Sequence, residues 1–307
     1  MNRREFLENG DVRGFLDYFS FALTGWSVEY TSNNPRVARE RRHFAAFGVE
    51  QALNQYAWLA RFLAPENIEG FPTFIQGQIC DPLQDWDSNR IALNYFRAGL
   101  RPAIRASSEL ALNWCQAILY WGLGANRWTR AYQHLLQIPE DHDSAGLCQY
   151  LRDVQQLIAL DVVNTDAITA AAVPYASSGL AKIYCLASDD GLVILDSRVA
   201  GALGECINHY LREVAHQEAI PHVLKVPRDP GRTPTPVGPG TDGNHPPFKR
   251  DYRWIEAQVR VSWLLHAVLE ASPRVFPNHD LGSRAHMLEA ALFMMGAYTG
   301  QDHHHLP

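Results

Sequence analysis

The sequence predicts a mainly α-helical protein. Apolar residues recur at helical spacings over several long stretches, and Asn, Ser or Asp stands before a number of them as a helix start. Extended apolar runs are short, the clearest being Leu192 to Leu195. No internal repeat is evident. With 307 residues, 47% hydrophobic and 20% charged, the chain has ample material for a core and room for one large domain or two smaller ones.

Taken in order, residues 1 to 34 read as aromatic and irregular, with Phe15, Tyr18, Phe19, Phe21, Trp26 and Tyr30. Pro35 suits an early helical position, and Phe44, Phe47, Leu53, Tyr56 and Leu59 then predict a helix from Val37 to about Leu63. Pro65 to Asp87 is loop-rich. Asn89 to about Gly122 returns to helix, with a break expected near Gly99 and Pro102. Tyr120 to Trp128 is a glycine-punctuated aromatic corner. Leu147 to Leu160 reads as an amphipathic helix, and Asn164 starts a short one ended by Pro174. Leu180 to Ala187 is helical, Asp189-Asp-Gly191 is a turn, and Ser197 to about Arg212 is helical again. Pro221 to Pro247 is dense in proline and glycine and cannot hold a long helix. Trp254 to Glu270 and Ser283 to Tyr298 are the closing helices.

The net charge is −6, which argues against a nucleic-acid grip made by bulk positive charge. Local segregation offsets this in part: from Lys225 to Arg260 there are seven basic against four acidic residues. The five cysteines are widely spaced with no CxxC pair, so neither a disulfide framework nor a zinc site is expected, and a reducing cytoplasm is the natural setting. The first residues lack an apolar signal core, and no apolar run approaches the ~20 residues that span a bilayer. No metal, cofactor, membrane or obligate protein partner is expected.

One stretch is built for chemistry. Ser177, Ser178 and Gly179 make a turn between two apolar segments, and Lys182 follows one helical step later. Asp196 ends the Leu192–Leu195 run and opens a helix. A helix start presents unpaired backbone N–H groups that bind phosphate without side-chain charge. Asp196 reads as an ordinary N-cap, and that position also favours a negative carboxylate. Lys182 reads either as a helix-surface lysine or phosphate contact, or as an amine nucleophile, which requires burial or a nearby cation.

Ser178-Gly-Leu-Ala-Lys182 and Leu195-Asp-Ser-Arg-Val-Ala-Gly-Ala-Leu203 resemble the helix-hairpin-helix DNA glycosylase superfamily, and most closely its bacterial proteins with the 8-oxoguanine glycosylase fold. Val259-Arg-Val-Ser-Trp-Leu-Leu265 and Leu288-Glu-Ala-Ala-Leu-Phe-Met-Met-Gly296 fit the same group, so the likeness covers roughly residues 145 to 298. The hairpin is compressed here, with Ser178 and Gly179 where the superfamily usually has two glycines around an apolar residue. The Lys182-to-Asp196 gap is shorter than in the best-known members.

The resemblance implies two helical lobes with a cleft, the N-terminal one over 1–145 and the glycosylase-like one over 146–307, the latter carrying the basic loop 221–250. It implies a glycosylase acting on double-stranded DNA that contains a modified base. Asp196 would stabilise the cationic sugar, and Lys182, as nucleophile, would add strand-cleaving lyase activity. Ser177, Ser178, Gly179, Arg198, Arg228, Arg232, Lys249 and Arg250 would hold DNA. Trp121, Asn126, Arg127, Arg260 and Trp263 are candidates for the pocket of the extruded base. Oxidised guanine and hypermodified phage cytosine are the two bases the resemblance suggests, the second with a role in anti-phage defence. The alternative is a helical DNA-binding or interaction module that keeps the fold without turnover.

Overall fold

The computed structural model describes residues 1–31, 42–59, 83–123, 129–141, 146–171, 176–227, 245, 252–297 and 304–307. It is mainly helical with a small amount of sheet. The helices are α1 (Arg3–Glu8), α2 (Gly10–Gly25), α3 (Gly48–Asn54), α4 (Trp86–Ala106), α5 (Ser108–Leu123), α6 (Thr129–Asp141), α7 (Gly146–Leu157), α8 (Thr165–Ala170), α9 (Ser178–Ala187), α10 (Ser197–His209), α11 (Tyr252–Ala271) and α12 (Leu281–Met295). A π-helical turn, Tyr210–Val214, extends α10. The strands are β1 (Ser27–Thr31), β2 (His43–Phe47), β3 (Trp58–Leu59), β4 (Leu83–Gln84) and β5 (His304–His305). β1 lies between β2 and β5, antiparallel to both, and β3 pairs antiparallel with β4.

Polar side chains start most of these helices. Asn2 and Glu5 form a reciprocal capping box on α1, and Asn9, Asp85, Asn164 and Asp280 cap α2, α4, α8 and α12. The N-terminal aromatics are ordered rather than irregular. Phe15 and Phe19 stack on one face of α2, and Trp26 is fully buried just after it.

The helix expected over 37–63 is corrected within its described part: His43–Phe47 is a strand that alternates exposed and buried residues against β1. Helical structure begins at Gly48, whose φ of +75° makes the joint that a residue with a Cβ rarely adopts. The break expected near Gly99 and Pro102 does not occur. α4 runs through Pro102 to Ala106, held by packing on α5, α7 and α9, and a Cβ on Gly99 would lie 2.1 Å from the Trp114 ring.

α1 and α2 pack on α11, and α3 packs on α2 and α12. The middle helices α4 to α7 pack among themselves, and α9 inserts against α4, α5 and α7. α10 and α11 each pack on α12. The boundary expected at residue 145 falls between α6 and α7, which pack on each other, and the buried apolar core is continuous on both sides of it. Among the described residues no helix is long and apolar enough to cross a membrane.

The α10–α12 approach is close enough to forbid a side chain. A Cβ on Gly296 would lie 1.8 Å from the carbonyl oxygen of Arg198 and 2.9 Å from the amide of Ala202. Both are backbone atoms, so relief requires moving a helix. Gly296→Ala should therefore lower stability by about 1–3 kcal/mol, a melting shift of roughly 2–5 °C. Gly10→Ala, where a Cβ meets nothing within 4 Å, should stay within about 0.5 kcal/mol of the parent. Thermal denaturation of the two variants checks both.

Candidate active site

Lys182 sits on the second turn of α9, among Leu180, Ala181, Ile183 and Tyr184, all buried. A helix apolar on every side must go inside, and Lys182 goes with it, leaving 5% of its surface exposed. Gly122 makes room for its stem: a Cβ there would lie 2.3 Å from Lys182 Cδ. The ammonium nitrogen turns back to the first turn of α9 and donates to the Ser178 carbonyl at 3.1 Å. Burial lowers the Lys182 pKa, while Asp196 and Glu289 oppose that shift. The N-terminal end of a helix, where this nitrogen lies, also disfavours a positive charge.

Asp196 is placed by an unusual segment. Residues 192–195 belong to no sheet, yet their backbone groups are paired by side chains. Ser262 Oγ accepts the Val193 amide at 3.1 Å, and Glu289 Oε2 accepts that of Ile194 at 3.3 Å. Trp254 Nε1 donates to the Leu195 carbonyl. Gln258 Nε2 donates to the carbonyls of both Ala181 and Val193, at 3.0 and 2.8 Å. One buried amide thus ties the backbone beside Lys182 to the segment that carries Asp196. Asp196 Oδ1 accepts from the amides of Arg198 and Val199 and caps α10.

Lys182, Asp196 and Glu289 line one cavity, with Asn89 and the rings of Tyr56, Trp58, Trp86, Trp121 and Phe293. The rings pack edge-on or tilted: Trp58 against Phe293 at 5.3 Å and against Trp121 at 6.4 Å, and Tyr56 against Trp86 at 5.8 Å. Three residues that line it carry a buried polar atom with no partner among the described residues: Asn89 Oδ1, Trp58 Nε1 and Trp121 Nε1. Buried polar groups are ordinarily satisfied, so such a group of orphans calls for a guest that bonds to them. The cavity measures about 30 Å³, enough for a water.

Glu289 is the least expected member. It is 8% exposed on α12, and burial pushes its carboxyl up to about 8. Its neighbour His286 is held well below the usual imidazole range by burial and by Arg97. Glu289 is therefore protonated at neutral pH and His286 is neutral.

The other expected site residues scatter. Ser177 caps α9 through the Leu180 amide and is half-buried, as is Ser178. Gly179 is a buried helical residue without positive φ, and a Cβ there would press on Leu119 and Leu123. Its lack of a side chain serves helix packing rather than a left-handed turn. Arg198 lies over the Phe293 ring at 4.4 Å, on the border of the cavity. Arg260 is away from it, bonded to the His222 carbonyl and 3.8 Å from Glu256. Trp263 is core, packed on Phe6 and donating to the Leu160 carbonyl. Asn126, Arg127, Arg228, Arg232, Lys249 and Arg250 lie outside the described residues.

Sequence reasoning missed Glu289, Asn89, Tyr56, Trp58, Trp86 and the clamp Gln258. Glu289 carried a readable signal: it is a lone carboxylate inside the apolar run Leu288 to Met295. Tyr56, Trp58 and Trp86 carried none, because they come from the turn after α3, from β3 and from the start of α4 and meet only in the fold.

No protein-family model, curated protein or solved structure matches this chain.

The raised Glu289 carboxyl has a thermodynamic consequence. Between about 4.5 and about 8 the folded protein keeps a proton on this group that the unfolded chain gives up. Stability from this group is thus fully present below about pH 4.5 and is lost as pH rises to about 8. Urea unfolding should show the parent falling in stability relative to Glu289→Gln across that range, with a constant difference above it. A difference that does not change with pH would contradict the burial-driven shift.

Proposed function

We propose that this protein is a DNA glycosylase that breaks the N-glycosidic bond of a damaged or modified base flipped out of duplex DNA. The observation that carries the reading is the meeting of the Lys182 amine and the Asp196 carboxylate at one aromatic-walled cavity. Bond breaking develops positive charge at the anomeric carbon, and a fixed carboxylate beside it stabilises that charge. A lysine whose pKa is lowered by burial supplies neutral amine for attack on the same carbon. Aromatic faces suit an extruded base, and the unpartnered Asn89 and indole N–H groups suit its polar edge.

The closed cavity is too small for a base, since ligand pockets run to about 300 Å³ and more. Base entry in this reading moves Trp58 and Trp86, the half-buried walls, outward. The start of α9 at Ser177 and Ser178 supplies phosphate contacts in this reading, and Arg198 adds a positive charge beside the Phe293 wall. Two helical lobes with the cavity between them follow from the same reading. Oxidised guanine and hypermodified phage cytosine are the bases to test first, the second placing the protein in anti-phage defence.

A base-release screen by mass spectrometry over oxidised, alkylated and phage-modified duplexes tests this. Asp196→Asn should cut release by about 10²–10³ while DNA binding is retained. Lys182→Gln should abolish the covalent protein–DNA adduct trapped by borohydride. Absence of release by the parent protein on every duplex would instead favour a helical DNA-binding or interaction module without turnover.

A further inference from the structure

Glu289 makes contacts on one side and is open on the other. Its Oε2 accepts the Ile194 amide and lies 3.5 Å from His286 Nδ1. That second contact is too long for a firm hydrogen bond, and it falls outside the bonds His286 makes. On the far side of the imidazole, Arg97 donates to His286 Nε2. A guanidinium has no acceptor, so Nε2 must be the acceptor, and the imidazole proton resides on Nδ1, facing Glu289. One N–H bonds to Oε2, and the imidazole N–H lies on the same side at 3.5 Å. Among the described residues Oε1 has no hydrogen-bond partner, while Glu289 lines the cavity that Lys182 and Asp196 share.

The charged and titratable groups around Glu289 come from every side. Lys182 and Cys185 come from α9, Asp196 and Arg198 from the start of α10, Arg97 from α4 and Tyr56 from beyond α3. His286 is on its own helix, and His266 on α11 stands behind His286. Of these, Lys182 is the group that must shed a proton before it can attack carbon. Tyr56 is pushed well above its ordinary value by burial and by Glu289.

We propose that Glu289 is the proton partner of Lys182, giving a proton to the group that leaves and taking one from the amine that has attacked. In the glycosylase reading, on which the identity of the reaction rests, Lys182 Nζ forms a bond to the anomeric carbon. The bond from that carbon to the base breaks, and its electron pair goes to the base nitrogen. The Glu289 carboxyl proton passes to the base. The resulting carboxylate takes the extra proton from the alkylated Lys182 nitrogen. Protons and electrons balance without a co-reactant, and Glu289 ends as it began. Asp196, held by the amides of Arg198 and Val199, serves the sugar. The two carboxylates thus differ in role because one caps a helix and the other is buried among rings.

The test needs no DNA, so it separates this proposal from the glycosylase reading. Formaldehyde is small enough for the cavity and forms an imine with a lysine amine, a condensation that requires an acid to expel water. Cyanoborohydride then fixes the imine as methyl-lysine. The chain has three lysines, and Lys225, half-buried outside the cavity, serves as internal reference for peptide mass spectrometry. Labelling would be followed from pH 5 to pH 10 in the parent, Glu289→Gln and Glu289→Asp.

The proposal expects parent Lys182 labelling, relative to Lys225, to pass through a maximum and fall as Glu289 loses its proton near pH 8. In Glu289→Gln it should be slower by about tenfold or more at pH 7 and rise steadily with pH. Gln can still accept the Ile194 amide, and an unchanged Lys225 rate reports an intact fold. Glu289→Asp should restore a maximum. Identical profiles in the parent and the Gln variant would overturn the proposal, as would a steady rise in both the parent and the Asp variant. Labelling as expected with no base release from any duplex would remove the glycosylase reading and leave the proton partnership standing.

Discussion

Three ionisable side chains cannot all carry charge in a cavity walled by five aromatic rings. Desolvation opposes each charge, and two carboxylates oppose one another. The protein resolves this by unequal support. Asp196 receives two backbone amides at a helix start, which is strong support for an anion. Glu289 receives one amide at 3.3 Å and a distant imidazole, and it keeps its proton to about pH 8. Lys182 has a single carbonyl acceptor and a lowered pKa. The outcome is one helix-capping carboxylate, one acid and one amine in a single small space.

Much of the fold exists to hold that arrangement. Gln258, with no exposed surface, bonds across from α9 to the segment before Asp196. Ser262 and Trp254, on the same helix, pair further backbone groups of that segment, so α11 acts as the missing strand partner. Such satisfaction by side chains matters because an unpaired buried N–H or carbonyl costs about 1–3 kcal/mol. Gly122 and Gly296 complete the frame by letting Lys182 and α10 come closer than any side chain would permit.

The sequence was legible where local chemistry decides. Asp196 as a helix cap, the helix after Ser177, the turn at Gly191 and the closing helices were all readable from spacing and residue type. Lys182 and Asp196 stand out in the sequence by residue type and position, and both line one cavity. What could not be read depended on distant partners. His43 to Phe47 has helix-compatible spacing and becomes a strand because β1 lies beside it. Gly179 and Trp263 have positions fixed by packing, the first against α5 and the second against Phe6. The aromatic walls come from segments far apart in the chain. Glu289 was legible in principle, as a carboxylate where only apolar residues were expected.

The central claim is that this cavity receives a sugar carrying positive charge, next to Asp196. A duplex in which one nucleotide is replaced by a cationic pyrrolidine ring mimics that sugar without reacting. Its affinity should be compared with that of the same duplex bearing an ordinary nucleotide, for the parent and for Asp196→Asn. Mimics of a transition state bind at least about 10²-fold more tightly than ground-state ligands. The account predicts a preference of that size in the parent and its loss in the variant; equal affinity of the parent for the two duplexes would contradict it.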